Sequence, residues 1–251
     1  MKQIILITGA TAGFGKATAE LFAQSGWDCI ITGRRQDRLD ALAQSLQTTY
    51  NVRIHSLCFD IQNRTDVFKA VESLPEEWQA IDVLMNNAGL ALGRDSFESA
   101  NLDDWDTMIN TNVKGLMYMT KAVLPFMIAR KKGHIINIGS TAGKEVYKDG
   151  NGYCASKHAV DAISKAMRID LLPHQIKVTA IHPGAAETEF SLVRFKGDDQ
   201  KASAVYDGYK ALEAADIASI VYYVSTLPTH VCINDLVVTC LSQANSFYLQ
   251  K

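Results

Sequence analysis

Long apolar runs are missing from the chain. None of its 251 residues falls in an uninterrupted stretch of the ~18–20 apolar residues that a bilayer-spanning helix needs. The opening residues pass straight into a strand-like run, without the apolar core of a secretory leader, so a cytoplasmic protein is expected. Five cysteines (Cys29, Cys58, Cys154, Cys232 and Cys240) are odd in number, scattered, and free of C-x-x-C spacing. They read as reduced, mostly buried small hydrophobes rather than a disulfide framework or thiolate metal site. Six histidines show no H-E-x-x-H spacing, and no metal is expected. Charge of either sign is not in excess: 25 Lys and Arg against 27 Asp and Glu leave −2. That removes the electrostatic case for nucleic acid or an anionic membrane as a partner. Proline is scarce and no Pro/Ser-rich linker or composition break divides the chain, so one domain over 1–251 is expected.

What is present is a rhythm of apolar runs and helical patterns. Residues 3–7 form an apolar strand, followed by a glycine-rich turn and a helix carrying Ala17, Leu21 and Phe22. Strands at 28–32, 53–59 and 81–85 alternate with helices, one starting near Asp37 with Leu39, Leu42 and Leu46 on one face, another at 65–73. The second half repeats the rhythm: a long helix over 103–131, a strand at 134–138, a helix over 153–172, and a strand at 177–181. An irregular, partly basic segment at 187–204 has the length of a substrate lid. A helix over Ala214–Thr226 and a strand at 236–239 close the pattern. Strands alternating with helices imply right-handed crossovers: an α/β fold with a doubly wound parallel sheet of about seven strands, helices on both faces.

Within that frame, Tyr153 and Lys157 are four residues apart on a helix, which places both on one face with Cβ atoms about 5–6 Å apart. An ammonium beneath the phenol favours its anionic form and lowers a pKa of about 10. A tyrosine so prepared is a general acid–base for an alcohol or carbonyl, although such pairs also pack at ordinary helix surfaces. The turn Gly9-Ala10-Thr11-Ala12-Gly13-Phe14-Gly15, set between a strand and a helix, lets the backbone approach a pyrophosphate that helix amides can meet. Arg34 and Arg35 follow the second strand, where a carboxylate would otherwise hold a ribose hydroxyl. No carboxylate follows until Asp37, which favours a 2′-phosphate and hence NADP(H). Asp60, with Ile61 next to it, Asn87 and Ser140 sit at carboxyl ends of strands, where open α/β sheets bind ligands.

Taken together, Thr8-Gly9-x-x-x-Gly13-x-Gly15, Asn86-Asn87-Ala88-Gly89, Ser140, Tyr153-x-x-x-Lys157 and Pro183-Gly184 resemble a classical short-chain dehydrogenase/reductase over essentially the whole chain. The stretches NNAGLALG (86–93), GHIINIGSTAG (133–143) and TEFSLVRFKG (188–197) are similar to NADP-dependent 3-hydroxy acid dehydrogenases that also oxidise serine and allo-threonine. The tail around 231–243 and Ala185-Ala186 depart from that subgroup. The resemblance implies a Rossmann fold and hydride transfer between NADP and a hydroxyl-bearing carbon, with Asn112, Ser140, Tyr153 and Lys157 catalytic. Tyr153 takes the hydroxyl proton, Lys157 holds the phenolate and reaches the nicotinamide ribose, Ser140 positions the substrate oxygen, and Asn112 supports a water. It also implies that Pro183, Gly184 and Thr188 flank the nicotinamide and that Tyr153 and Lys157 are among the residues that bind the cofactor.

Arg194, Lys196 and Lys144 are candidate partners for a substrate carboxylate. Two other readings use the same residues: a carbonyl or 3-oxoacyl thioester reductase, and a non-catalytic NADP-binding regulator. The apolar and small surfaces of the helices at 103–131 and 153–172 (Ala155, Ala159, Ala162 and Ala166 on the latter), with the family's habit of pairing them, lead to an expected homotetramer.

Overall fold

The computed structural model describes residues 2–251. In chain order its elements are β1 (Ile4–Ile7), α1 (Gly13–Gln24), β2 (Asp28–Gly33), α2 (Gln36–Tyr50), β3 (Ile54–Cys58), α3 (Arg64–Glu72), β4 (Ile81–Asn86), α4 (Leu102–Ile109), α5 (Leu116–Arg130), β5 (Gly133–Ile138), α6 (Asn151–Asp170), β6 (Ile176–Pro183), α7 (Glu189–Arg194), α8 (Asp199–Ala204), α9 (Ala214–Thr226) and β7 (Asp235–Val238). The strands form one sheet in the order β3-β2-β1-β4-β5-β6-β7, every neighbouring pair parallel. The expected doubly wound α/β sheet of seven strands is what the chain forms.

Why these strands are uninterrupted apolar runs is seen in β1, all four of whose residues are buried. Ile5 and Ile7 pack on one face of the sheet with Phe22, Leu39, Ile217 and Val221. Ile4 and Leu6 pack on the other with Val67, Val71, Met119 and Val123. Successive side chains point to opposite faces, so a strand covered on both sides has no position for a polar residue. The chain leaves β1 toward β2 and returns after β3 to β4 on the other side of β1. A crevice therefore opens between the carboxyl ends of β1 and β4, at the reversal of strand order.

Two expectations need correction. The helix read over 103–131 is broken: α4 and α5 are separated by a π-helical turn, Asn110–Gly115. Such turns widen the backbone by one residue and concentrate at functional sites; this one carries Asn112. The segment read as irregular over 187–204 contains α7 and α8, whose N-caps are the Thr188 and Asp198 side chains. Six-residue helices are too short to show a period, and caps and packing hold them where propensity does not.

Packing of α1 on α9 supports the glycine-turn face. Phe22 is fully buried, edge-on to Trp27 at 5.0 Å and Tyr222 at 5.3 Å between ring centroids. Phe22→Ala is expected to destabilise the protein by about 3–5 kcal/mol, read as a lower urea midpoint at unchanged slope. A loss below about 1 kcal/mol would contradict close packing at this face.

Candidate active site

The glycine turn is held from below by a polar seam. The Thr8 hydroxyl donates to the Met85 carbonyl at 3.3 Å and accepts from the amides of Asn87 and Ala88, both at 2.9 Å. The Asn87 side-chain amide donates to the Thr8 and Gly9 carbonyls at 2.9 and 3.1 Å. Gly9 and Gly13 have φ of +67° and +51°, a region glycine enters at no steric cost. A Cβ on Gly15 would overlap the Gly9 carbonyl and lie 2.6 Å from Asn87 Nδ2. Above this seam α1 begins with no side-chain cap and no acidic residue in its first turn. Its leading amides therefore face the crevice unspent, the arrangement that receives an anion. A dinucleotide pyrophosphate fits these residues.

The crevice is a cleft of about 750 Å³. Gly9, Thr11, Ala12, Gly13, Phe14, Arg34, Arg35, Asp60, Ile61, Asn87, Ser140, Tyr153, Lys157, Pro183, Gly184, Thr188 and Arg194 all line it. Ala10, Gly15 and Asn112 lie behind its wall. At one end Arg35 Nη2 donates to Thr11 Oγ1 at 2.8 Å, fixing that guanidinium over the turn. No carboxylate follows Arg34 and Arg35 in the sequence until Asp37, but the fold brings two from elsewhere. Asp60 is 3.6 Å from Arg34, and Glu189 is 3.6 Å from Arg35 and 3.0 Å from Arg38. Three guanidiniums against two carboxylates still leave this end positive.

At the other end α6 presents Tyr153 and Lys157, and Ser140 leaves β5 beside them. A Cβ on Gly143 would lie 2.6 Å from the Lys157 carbonyl, so the turn after Ser140 packs directly on α6. The Ser140 hydroxyl accepts from the Ala142 amide at 3.1 Å. Lys157 Nζ donates to the Ile138 carbonyl at 2.8 Å and lies 5.9 Å from the Tyr153 ring centroid. Asn112 is locked by the loop after β4: its Oδ1 accepts from the Leu90 amide and its Nδ2 donates to the Leu90 carbonyl, both at 2.8 Å, and to Ser156 Oγ at 3.0 Å. Gly89 keeps space open between them, since a Cβ there would lie 3.2 Å from Asn112 Oδ1 and 3.6 Å from Lys157 Nζ.

Burial sets the protonation of the pair, which corrects the expectation of a phenol acidified by Lys157. Burial pushes the Tyr153 hydroxyl above its ordinary value near 10; nearby Tyr147 adds to this, and Ser140 and Arg194 pull the other way. Burial also brings Lys157 down from 10.5 to about 8. Without a ligand the phenol keeps its proton and the lysine releases its own in the neutral-to-alkaline range.

A model of the short chain dehydrogenase family matches residues 3–198. This chain belongs to that family. The NADP-dependent 3-hydroxy acid dehydrogenase of Escherichia coli K12 is 50% identical over 243 residues, 96% of each chain. A sulfoacetaldehyde reductase of Chromohalobacter salexigens is 45% identical over 249 residues, 99% of this chain and 98% of the relative. Among solved structures, the closed form of a serine dehydrogenase complexed with NADP+ superposes with a TM-score of 0.93 at 48% identity, covering 99% of both chains.

Two lysines considered for this short chain dehydrogenase's substrate are engaged elsewhere. Lys144 is ion-paired with Asp161 (2.8 Å) and with Asp235, and Lys196 with Asp104 at 2.8 Å. Of the three candidates Arg194 alone lines the cleft, its Cζ 5.6 Å from the Tyr153 ring centroid. Arg94, Tyr147, Phe190 and Tyr206 also line the cleft and went unread. They stand in loops or short helices without periodicity, and an aromatic residue between Ser140 and Tyr153 was the one available signal.

Lys157 carries a linkage test. Its folded pKa of about 8 lies below 10.5, so between these values the unfolded chain binds a proton that the folded chain does not. Stability of the cofactor-free protein therefore gains from this residue as pH rises through that window, and the gain is absent below it. The wild-type-minus-Lys157→Met difference in unfolding free energy is expected to rise between pH 7 and pH 10. A flat difference would contradict a desolvated lysine.

Proposed function

We propose that this chain is an NADP-dependent oxidoreductase that moves a hydride between the nicotinamide and the hydroxyl-bearing carbon of a small 3-hydroxy acid such as serine or allo-threonine. The observation that carries the reading is Arg194, a guanidinium without a carboxylate partner, set over Tyr153 in the cleft that also holds Ser140 and Lys157. The names of the relatives and the NADP+ in the serine dehydrogenase complex support it. Arg34 and Arg35, with Arg38 behind them, would hold the 2′-phosphate of NADP, and the amides opening α1 its pyrophosphate.

Bound NADP supplies the hydride acceptor or donor; the protein supplies orientation and proton transfer. Ser140 holds the substrate oxygen and Tyr153 exchanges the proton with it. A phenol that keeps its proton is ready to protonate a carbonyl oxygen in the reductive direction. In the oxidative direction it must lose that proton, which positive charge brought near it makes easier, and Arg194 already contributes. Lys157, titrating near 8, passes protons through the gap between Gly89 and Asn112. Arg194 pairs with the substrate carboxylate and aims the hydroxyl at Tyr153.

We further propose a cytoplasmic homotetramer. The free cysteines and the absence, among the described residues, of a helix long and apolar enough to cross a membrane are consistent with that location. Met117 on α5, Ile169 on α6 and Leu172 just after it are 47%, 75% and 74% exposed, and Ala155, Ala162 and Ala166 on α6 are uncovered, leaving faces suited to a second copy.

Initial rates decide the function. NADP+ reduction is expected with serine, allo-threonine, 3-hydroxypropionate and 3-hydroxyisobutyrate, at least about tenfold faster than with NAD+, and ahead of acetoacetyl thioester reduction. Arg194→Ala is expected to lose the preference for carboxylated over uncharged alcohols. Equal rates with NAD+ would refute the role of Arg34 and Arg35, and an unchanged preference would refute that of Arg194.

A further inference from the structure

At the Arg35 end of the cleft stands a carboxylate that a phosphate site has no use for. Both carboxylate oxygens of Glu189 accept from Arg38 Nη1 at 3.0 Å, and one of them lies 3.6 Å from Arg35 Nη1. Glu189 and Arg38 are 151 residues apart in the chain, so the fold alone brings them together. The backbone that carries Glu189 is held on both sides. The Glu187 amide donates to the Leu212 carbonyl at 2.8 Å, and the Thr188 hydroxyl caps α7 by accepting from the Phe190 amide at 3.2 Å. Thr188 stands over the glycine turn, where a Cβ on Gly13 would lie 3.5 Å from Thr188 Cβ. At the far end of α7 the Gly93 amide donates to the Arg194 carbonyl at 3.0 Å. The Glu189 side chain can swing, but its backbone stays beside the guanidiniums.

Charge decides what that carboxylate does to an arriving anion. Arg34, Arg35 and Arg38 carry three positive charges against Asp60 and Glu189. Asp60 pairs with Arg34 at 3.6 Å, and its Oδ1 already accepts from the Gln62 amide at 3.0 Å. A phosphate monoester brings about −1.5 to −2 near neutral pH. With Glu189 ionised, the sum at this end then turns negative; with that carboxylate neutralised, it stays close to balance. A ribose hydroxyl brings no charge, so the penalty falls on a 2′-phosphate and spares NAD(H). Guanidiniums bind carboxylate and phosphate through the same N–H donors.

We propose that Glu189 is a specificity-determining counter-ion: it competes with the adenosine 2′-phosphate for Arg35 and Arg38, and so limits how tightly NADP(H), and not NAD(H), is held. The inference rests on the reading of these arginines as the 2′-phosphate site. Its consequence is ready exchange. A cofactor that leaves after each turnover strips its phosphate from the guanidiniums, and Glu189 takes two of them back as it goes. Standing at the opposite end of the cleft from Tyr153, Glu189 is not a catalytic residue.

The test is calorimetric titration of NADPH, NADH and adenosine 2′,5′-bisphosphate into wild type, Glu189→Gln and Glu189→Asp. Glu189→Gln is expected to bind NADPH and the bisphosphate about three- to tenfold more tightly at low salt, and NADH within about twofold of wild type. The gain is modest because Glu189, Arg35 and Arg38 are half-exposed, and it is expected to shrink toward unity in about 0.5 M salt. Glu189→Asp keeps the charge but draws it back, and is expected to fall between. Weaker NADPH binding in Glu189→Gln would make Glu189 an organiser of the arginines, and a loss confined to NADH would make it a ribose-hydroxyl acceptor; either overturns the competition. Wild type that favours NADPH over NADH, with no change in Glu189→Gln, overturns the competition alone. Wild type that binds both equally overturns the 2′-phosphate reading along with it.

Discussion

Everything along the carboxyl edge of the sheet depends on how closely the first turn lies against the loop after β4. Thr8 and Asn87 exchange four hydrogen bonds with each other's neighbourhoods, two more tie Thr8 to Met85, and no side chain at Gly15 would fit between them. Net hydrogen bonds contribute only about 1 kcal/mol each, but leaving such groups buried and unmade costs more. The seam therefore acts as a constraint. It sets the β1–α1 turn where its amides face a phosphate, and it fixes the loop whose Leu90 backbone clamps Asn112.

From that loop the order passes to the reacting end. The π-helical turn exists where Asn112 reaches across to Leu90 and Ser156, and widening of the backbone there spares the regular helices on either side. The turn after Ser140 packs against the backbone of α6, which holds Ser140 beside Tyr153 and Lys157. Burial of that unit works against ionisation: it raises the phenol and lowers the lysine. What tunes Tyr153 the other way comes from outside the helix: the hydrogen bond of Ser140 first, then the charge of Arg194 on α7. On the proposed reading catalysis and substrate recognition would share one guanidinium, delivered by a short helix whose first residue, Glu189, also pairs with Arg35 and Arg38 at the opposite end of the cleft.

Much of this was legible in the residues, for identifiable reasons. Strands buried on both faces show as apolar runs, so the β1 and β5 assignments needed no partner to be seen. The glycine spacing, Ser140 and the Tyr153–Lys157 pair are local patterns and were readable as such. What escaped depends on contacts distant in sequence. Glu189 meets Arg38 only because α7 folds back across the cleft, and Lys144 is taken by Asp161 and Asp235 from two other elements. The π-turn is invisible to periodicity because its neighbours supply an unbroken apolar pattern. Lys157 was expected to govern Tyr153 by charge alone, and desolvation, which spacing does not reveal, reverses that result.

The central claim is that Tyr153 transfers the substrate proton in a cleft whose hold on NADP comes mainly from other residues. Its most direct test pairs NADPH affinity with turnover of 3-hydroxypropionate in Tyr153→Phe. The account predicts affinity within about twofold of wild type and a fall in kcat of about 10²–10⁴ or more. Turnover within tenfold of wild type would contradict it.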